Sequence, residues 1–433
     1  MRNTISLFDV ITVLLVGYTT VSSVYPPLRA IMKNNTLLVA ASMMLWVLLT
    51  FLKMPSFYLR PTMHRLITLV FILYSFIAPH LFGHGVIGNR YLAISPLFFL
   101  YVVYEYNSRA DRGYNNIRII RLTIPFVVLT LIRTGMGLMS NPFLSRSIKS
   151  SGEYSRDLWR QGIGGYEFIY FLALLFPVLI YLMFYADAFR KKHHERLVGL
   201  FGLSVLAVII LSNYFTALIA VLLSVLTMIV IRAIDRRRYF AITALLLSTI
   251  IFLLVGTEIV VHVLDLMSVW VGGGLTAKRL MEARYAIVFG NDQIVRTSRW
   301  DLIRVSVQSF FQNPFFGTIG NRHINVLSFE VGAGQHSHII DTFAFFGFIP
   351  GLMQIYIIVQ PYFKRLRTGV ARELMASVLV SIAIIFSLNT VTPSMGIVVS
   401  LIVPSLYDVL EIQNREYHLE RTNNARNPHC RSG

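Results

Sequence analysis

Residues 166–187 read YEFIYFLALLFPVLIYLMFYAD, a run whose only charged residues are Glu167 near its beginning and Asp187 at its end. A helix needs about 20 mainly apolar residues to cross about 30 Å of hydrocarbon, so this segment predicts a transmembrane helix. The rest of the chain has the same character. Its 433 residues are 55% hydrophobic and only 14% charged, which excludes an ordinary soluble domain.

Further apolar segments of comparable length occur along the whole chain. We therefore predict an all-α integral membrane protein, with residues 1–433 forming a single polytopic domain of about 12 transmembrane helices. The stretch 197–231 is too long for one span, and we predict two, divided at Ser212-Asn213-Tyr214. The first segment lacks a small-x-small cleavage site, so we expect a retained span and not a signal peptide. The predicted spans are 5–24, 36–52, 66–79, 91–106, 117–137, 166–187, 197–211, 214–231, 240–261, 339–359, 374–388 and 395–410.

Lysine and arginine predict the orientation, because these residues accumulate in short cytoplasmic loops. With the N-terminus inside, the inner segments hold most of the cations, Arg65 and Arg365 among them, whereas the outer segments after spans one, three, seven and eleven hold only Arg29, Lys33 and Arg90. Both termini are therefore predicted to be cytoplasmic, with residues 411–433 as a tail. The net charge of +18 is divided among these small clusters, so we expect no nucleic-acid partner. Cys430 is the only cysteine, which excludes a disulfide framework within one chain.

The first long outer segment, residues 138–165, places cations beside aromatic rings. It contains SRSIKSSGEYSRDLWRQGIGG, with Arg156 and Arg160 on either side of Trp159. Guanidinium groups pair with phosphate oxygens, and flat rings can stack on sugars, so these three residues are candidate ligands for a sugar or a diphosphate. The alternative is a solvated loop with an interfacial aromatic belt.

The second long outer segment, residues 262–338, predicts two amphipathic helices on the membrane surface. One is capped by Thr276 and stops at Gly290. The other is capped by Ser298 and ends before Pro314, with one apolar face. The two helices present arginines at their polar edges, for which lipid headgroups are the alternative partners. These arginines are Arg279, Arg284, Arg299 and Arg304. The apolar face consists of Trp300, Ile303, Val307 and Phe310.

The stretch that follows Pro314 is punctuated by glycines and leads directly into two histidines. It reads FFGTIGNRHINVLSFEVGAGQ and is followed by His336 and His338, at the mouth of an apolar span. Irregular backbone at membrane depth occurs only where it is buried in protein or lines a wet cavity, which predicts a cavity roofed by this segment. On a helix, His338 would lie on a different face from His336, and we expect it to be structural or to face headgroups.

The region from Arg279 to Gly351 resembles bacterial O-antigen polymerases (Wzy-type) and O-antigen ligases. These families share an Arg-Trp-bearing helix, an N-P-x-x-G-x-G turn, a histidine followed by Asn or Ser, an apolar span, and a glycine eleven residues after that histidine. The chain has Ser298-Arg299-Trp300, Asn313-Pro314-Phe315-Phe316-Gly317 with the second glycine one position later at Gly320, His336-Ser337, and then Gly347 with Gly351 beyond it. Arg279 and Gly290 also fit the Arg-x10-Gly spacing described for polymerases, and Ser337 with Asp341 is closer to polymerases than to ligases.

The resemblance implies a GT-C-like membrane glycosyltransferase in a bacterial inner membrane. It would polymerise undecaprenyl-pyrophosphate-linked repeat units into O-antigen or capsular polysaccharide outside the cytoplasm. His336 would be the base or acceptor-orienting residue, since imidazole accepts a proton near neutral pH. Arg299 would be the leading diphosphate ligand, followed by Arg279, Arg284 and Arg322.

Partners and alternatives follow from the same resemblance. The expected partners are the lipid-linked glycans and membrane lipids, with a chain-length regulator and a flippase as possible protein partners. The rival functions are an O-antigen ligase, which transfers the finished glycan to lipid A core, and a transporter of lipid-linked units. No nucleotide-binding loop is present, and we expect no cofactor. A zinc site matches no known spacing, so we expect no metal. Its ligands would be His323, His336 and His338, with Glu330 or Asp341.

Overall fold

A computed structural model describes residues 6–31, 35–82, 88–111, 113–141, 144–148, 153–185, 195–237, 298–318 and 337–413, with isolated positions between 261 and 284. Every regular element of these residues is helical, which confirms the all-α fold. The first ten helices are α1 (Leu7–Val24), α2 (Pro26–Ile31), α3 (Asn35–Lys53), α4 (Pro55–Leu59), α5 (Met63–Phe82), α6 (Gly88–Ala110), α7 (Tyr114–Ser140), α8 (Leu144–Ser147), α9 (Glu153–Arg160) and α10 (Tyr166–Phe184). The others are α11 (Glu195–Leu211), α12 (Phe215–Asp235), α13 (Ser298–Gln312), α14 (His338–Phe346), α15 (Phe348–Leu366), α16 (Arg372–Leu388) and α17 (Pro393–Gln413), with a π-helical stretch at Ile397–Ile402.

Five of the described helices are long and apolar enough to cross a membrane, namely α1, α7, α10, α12 and α17. Shorter apolar helices occupy residues 37–53, 63–75 and 196–211. These lengths and compositions fit a multi-pass membrane protein. The predicted spans coincide with described helices, except that 339–359 is divided between two helices and that 240–261 lies, apart from Val261, outside the described residues. The predicted helix between Thr276 and Gly290 also lies outside them, apart from Met281 and Arg284.

The division of residues 197–231 into two helices is confirmed. Helix α11 ends at Leu211 and α12 begins at Phe215. Between them, Asn213 has a positive φ of 57°, a conformation that asparagine tolerates better than most residues.

The prediction of one continuous helix over 339–359 is wrong, because the chain breaks at Gly347. This residue has φ 82° and ψ −171°, a backbone conformation that is essentially restricted to glycine. Helix α14 therefore ends at Phe346 and α15 begins at Phe348. The break has a packing reason, since a Cβ at Gly347 would overlap the carbonyl of Phe315.

Helix α10, which contains the apolar run from which the fold was predicted, lies at the centre of the bundle. Residues 168–179 of this helix are all buried, and it packs against α11, α12 and α16. Helices α12 and α16 approach closely through small residues. The Ser377 hydroxyl donates to the carbonyl of Ser224 at 2.6 Å. Small residues allow this approach between helices in a membrane, where packing and not water exclusion drives association.

Candidate functional site

Helix α13, the turn after it and helix α14 form one packed unit, which we call the glycine-packed unit (residues 298–318 and 337–351). The backbone N–H of Phe348 donates to the carbonyl of Pro314 at 2.7 Å, and the N–H of Thr318 donates to Ala344 at 2.9 Å. A Cβ at Gly317 would overlap the peptide between Phe345 and Phe346. The two segments thus contact each other through their backbones. Gly317 lies against the backbone of residues 345–346, and Gly347 lies against the backbone of Phe315.

Glycine 351 has a related role one turn into α15. A Cβ there would overlap the ring of Phe343, so the first turn of α15 lies directly on the aromatic face of α14. Phe343 in turn makes an edge contact with Phe310 of α13, with ring centroids 5.6 Å apart. Three glycines that carry the sequence resemblance, Gly317, Gly347 and Gly351, are therefore each required by a close contact within this unit.

The carboxylate of Asp341 joins α13 to the first turn of α14. Its Oδ1 accepts from the Ser306 hydroxyl at 2.7 Å, and its Oδ2 accepts from the backbone N–H of Ser337 at 3.3 Å. The Ser337 hydroxyl accepts from the N–H of Ile340 and caps the helix. Ser337 and Asp341 are both buried, so the residue next to His336 has a fixed position in the fold.

The buried face of α13 differs from the predicted one. Ile303 is buried as expected, but Ser306 and Ser309 are more buried than Val307 and Phe310. The hydroxyl of Ser306 explains part of this difference, because its bond to Asp341 turns a polar residue toward α14. The helix is amphipathic, with its buried face against α14. Arg304 lies on its exposed side.

His338 is buried and belongs to a second polar contact between helices. Its Nε2 accepts a hydrogen bond from the Gln354 amide, and its ring packs edge-on against Phe386 at 5.8 Å between centroids. Its backbone N–H donates to the carbonyl of Asn389 at 3.1 Å. Burial lowers the pKa of His338, which precedes the predicted span, to about 3, so the imidazole is neutral. Of the two roles predicted for this residue, the structure supports the structural one.

The first outer segment forms the short helix α9, which packs against α2. The guanidinium of Arg29 lies over the ring of Trp159, 5.0 Å from its centroid, and pairs with Glu167 at 2.6 Å. Arg160 pairs with Asp157 at 3.2 Å, and both Arg156 and Arg160 are exposed. One face of the predicted sugar-stacking ring is therefore occupied by a cation of the same chain.

The remaining predicted ligands are only partly described. Arg284 lies 2.7 Å from the carboxylate of Asp265, and both side chains are partly exposed. His336, Arg279 and Arg322 lie outside the described residues, as does the side chain of Arg299, whose backbone is in α13. The described part of the chain contains no group of three His, Cys, Asp or Glu side chains placed to hold a metal ion. Of the alternative zinc ligands, His323 and Glu330 also fall outside it.

A second polar region, which sequence reasoning missed, lies among α5, α6, α15 and α17. We call it the ion-pair cluster (Arg65, Glu105, Tyr104, Arg365 and Asp408). Arg65 is completely buried and pairs with Glu105 at 2.7 Å. Arg365 donates to the Tyr104 hydroxyl at 2.6 Å, and that hydroxyl donates to Asp408 at 2.8 Å. The sequence placed Arg65 and Arg365 in loops as orientation signals, but both lie on helices.

No family model matches this chain, and no curated protein matches it in sequence. The function is therefore inferred from its residues and their contacts.

Proposed function

We propose that the chain is a membrane glycosyltransferase that resembles the O-antigen polymerases. It would join undecaprenyl-pyrophosphate-linked repeat units into O-antigen or capsular polysaccharide on the outer face of the cytoplasmic membrane. The glycine-packed unit carries the proposal. The Arg-Trp helix runs directly into the N-P-x-x-G turn, and the glycine eleven residues after His336 lies about 30 residues further along the chain, yet the backbones of the turn and of this second segment contact each other at Gly317 and Gly347. Elements that resemble one family's signature and also pack together support a common function.

The proposed reaction is a substitution at the sugar carbon that carries the lipid pyrophosphate. A hydroxyl oxygen of a fresh lipid-linked repeat unit attacks this carbon, and the new glycosidic bond forms as the bond to pyrophosphate breaks. The lipid pyrophosphate leaves with the electron pair, and the hydroxyl proton goes to His336. Arg299 stabilises the charge of the leaving diphosphate, with Arg279, Arg284 and Arg322 as further cations.

The proposed topology has twelve spans with both termini in the cytoplasm, in a GT-C-like architecture. Residues 138–165 and 262–338 would face outward, and the tail 411–433 would face the cytoplasm. The coincidence of the predicted spans with described helices supports this arrangement, as does the distribution of lysine and arginine. In this topology the start of α14 and its Ser337 cap lie at the outer face, where a lipid-linked substrate would arrive.

The deciding experiment is synthesis by the purified protein from lipid-linked repeat units alone, without a nucleotide or an ion gradient. The proposal predicts a ladder of polymer lengths with the wild type and none with His336→Ala. The matched control is His262→Ala, because His262 is an exposed histidine at the start of the same outer segment. A full ladder from a stable His336→Ala protein would refute the role of His336, and no polymer from the wild type would refute the polymerase.

The same purified protein also distinguishes a polymerase from a ligase. A ligase would transfer preformed long glycan to lipid A core and would make no ladder from single repeats. In cells that lack the gene, accumulated one-repeat product indicates a polymerase, whereas long chains stranded on undecaprenyl indicate a ligase.

The ion-pair cluster is the observation that favours the second candidate, a transporter of lipid-linked units. Transporters place ionisable residues inside the helical bundle, and this cluster contains four of them on four helices. Their mutual pairing equally suits a structural role. Uptake of a lipid-linked unit into proteoliposomes that requires a proton or sodium gradient, with no polymer formed, would favour the transporter.

A further inference from the structure

A large apolar cavity lies between α7, α10, α11 and α17, away from the glycine-packed unit. Its volume is about 640 Å³, within the range of about 300–1,000 Å³ that is typical of ligand pockets. Its walls are almost entirely aliphatic or aromatic, with Val127, Phe171, Leu175 and Val178 among the lining residues. Three of the four helices are long and apolar enough to cross a membrane. The cavity therefore lies at membrane depth, where hydrocarbon chains are the available apolar occupant.

The polar residues that line this cavity are Arg121, Thr123, Ser405 and Gln413. Ser405 and Gln413 lie eight residues apart with Val409 midway between them, so these three residues share one face of α17. Arg121 of α7 is exposed and lines it as well. The Ser405 hydroxyl is buried, and no described residue offers it a hydrogen-bond partner. A buried hydroxyl without a partner is costly, which points to an acceptor supplied by a ligand.

Two further arginines lie near this end of the cavity, and Glu411 of α17 lies two residues before Gln413. Arg118 lies one helical turn before Arg121, and Arg196 lies two residues before Val198, which lines the cavity from α11. The lysine and arginine distribution assigns this end of the helices to the cytoplasmic side. Anionic lipids of the cytoplasmic leaflet are attracted to such cations. The apolar cavity suits an acyl chain, the unpartnered Ser405 hydroxyl suits the ester carbonyl of that chain, and the Arg121 guanidinium suits a phosphate.

We propose that this cavity binds one acyl chain of an anionic glycerophospholipid from the cytoplasmic leaflet. The headgroup phosphate is held by Arg121, and an ester carbonyl accepts a hydrogen bond from Ser405. The bound lipid fills the space among four helices of the bundle and fixes their spacing. The site does not depend on the proposed glycosyltransferase activity, because none of its residues belongs to the glycine-packed unit.

Native mass spectrometry of the full-length protein tests the proposal. The protein is purified in detergent, supplemented with phosphatidylglycerol or phosphatidylcholine, and the retained lipid is counted. We expect one retained phosphatidylglycerol, bound about fivefold more tightly than phosphatidylcholine, the factor expected for one cation near an anionic lipid. Arg121→Gln removes this preference. Arg60→Gln, a change at an exposed arginine on another segment, leaves it unchanged.

A second pair of variants tests the acyl-chain part. Val198→Trp fills the cavity and should abolish retention of both lipids, whereas Leu203→Trp on the same helix should not, because Leu203 is 66% exposed and does not line the cavity. Equal retention in both tryptophan variants, or an unchanged preference in Arg121→Gln, would mean ordinary annular lipid only and would overturn the proposal.

A cysteine variant provides the measurement if Val198→Trp fails to fold. Cys430 is the only cysteine, so Val198→Cys and Leu203→Cys can each be made in a Cys430→Ser background. Phosphatidylglycerol should slow labelling of Val198→Cys by an apolar maleimide and leave Leu203→Cys unaffected. The same labelling rate with and without phosphatidylglycerol at position 198 refutes occupancy.

Discussion

The glycine-packed unit and the ion-pair cluster join helices by opposite means. In the glycine-packed unit, the segments touch through their backbones at Gly317 and Gly347, and one carboxylate, Asp341, is held by a hydroxyl and a backbone N–H. In the ion-pair cluster, no comparable backbone approach is needed, because long side chains bridge the helices. Arg65 reaches Glu105, and Arg365 reaches Tyr104 beside Asp408.

The difference indicates which region is suited to chemistry. A cation that is already paired inside the bundle is neutralised and cannot bind a diphosphate without breaking that pair. In the glycine-packed unit, backbone contacts hold the segments together, so its arginines are not needed for ion pairs between helices. Arg304 of α13, for example, lies on the exposed side. We therefore interpret the cluster as a structural clamp and the glycine-packed unit as a scaffold that can present arginine and histidine to a substrate.

The largest effect on stability is expected from Gly347→Ala, which changes the closest backbone contact of the glycine-packed unit. The new Cβ would overlap the Phe315 carbonyl in a backbone conformation that alanine does not adopt, so we expect a loss of about 5 kcal/mol or more in unfolding free energy. The readout is the yield of monodisperse protein in detergent and its melting temperature.

Gly369→Ala is the matched control for that change. Gly369 also has a positive φ, 78°, but a Cβ there meets nothing within 4 Å. We expect a cost of only about 1–2 kcal/mol, from the backbone conformation alone. Similar melting temperatures for the two variants would show that the contact at Gly347 is not what holds the unit together.

The next largest effect is expected in the ion-pair cluster, from Arg65→Met. This change leaves the Glu105 carboxylate without its buried partner, which typically costs about 3–5 kcal/mol. Lys53→Met is the control, because Lys53 pairs with Asp9 at the surface, where a pair is worth at most about 1 kcal/mol. Thermal unfolding in detergent compares the two. An Arg65→Met variant as stable as Lys53→Met would contradict the clamp.

The two regions also differ in how far the sequence could predict them. Helix positions are a local property of apolar runs, and those of α10, α11 and α12 were predicted to within a few residues. The break at Gly347 could not be predicted, because it depends on Phe315, which is distant in sequence. The ion pair of Arg65 with Glu105 was missed for the same reason, because the two residues are distant in sequence. From the sequence alone, Arg65 is interpreted as a loop cation and Glu105 as an acid at the end of a span. His336 and Arg299 remain predictions from the resemblance.

A smaller effect is expected from Ser306→Ala, which tests the bond from the Ser306 hydroxyl to the Asp341 carboxylate in the glycine-packed unit. Asp341 would lose its 2.7 Å bond from the hydroxyl, and a hydrogen bond to a charged group is worth about 1.5–3 kcal/mol. Ser204→Ala is the control, because the exposed Ser204 hydroxyl bonds to the Leu200 carbonyl of its own helix. If both variants melt at the wild-type temperature, Asp341 does not join α13 to α14.

The smallest effect is a pH dependence at His338. Its folded-state pKa of about 3 lies below the ordinary value of about 6.5, so the unfolded chain binds a proton that the folded protein does not. Stability from this residue is fully present above about pH 6.5 and declines as the pH falls toward 3, by at most about 1.4 kcal/mol per pH unit. His338→Phe removes this term, so the wild type should lose more stability than the variant between pH 6.5 and 5. Denaturant unfolding at both pH values in detergent measures the difference in slope. Equal slopes would mean that His338 is protonated, or solvated, in the folded protein, and the buried contact with Gln354 would then not describe its state.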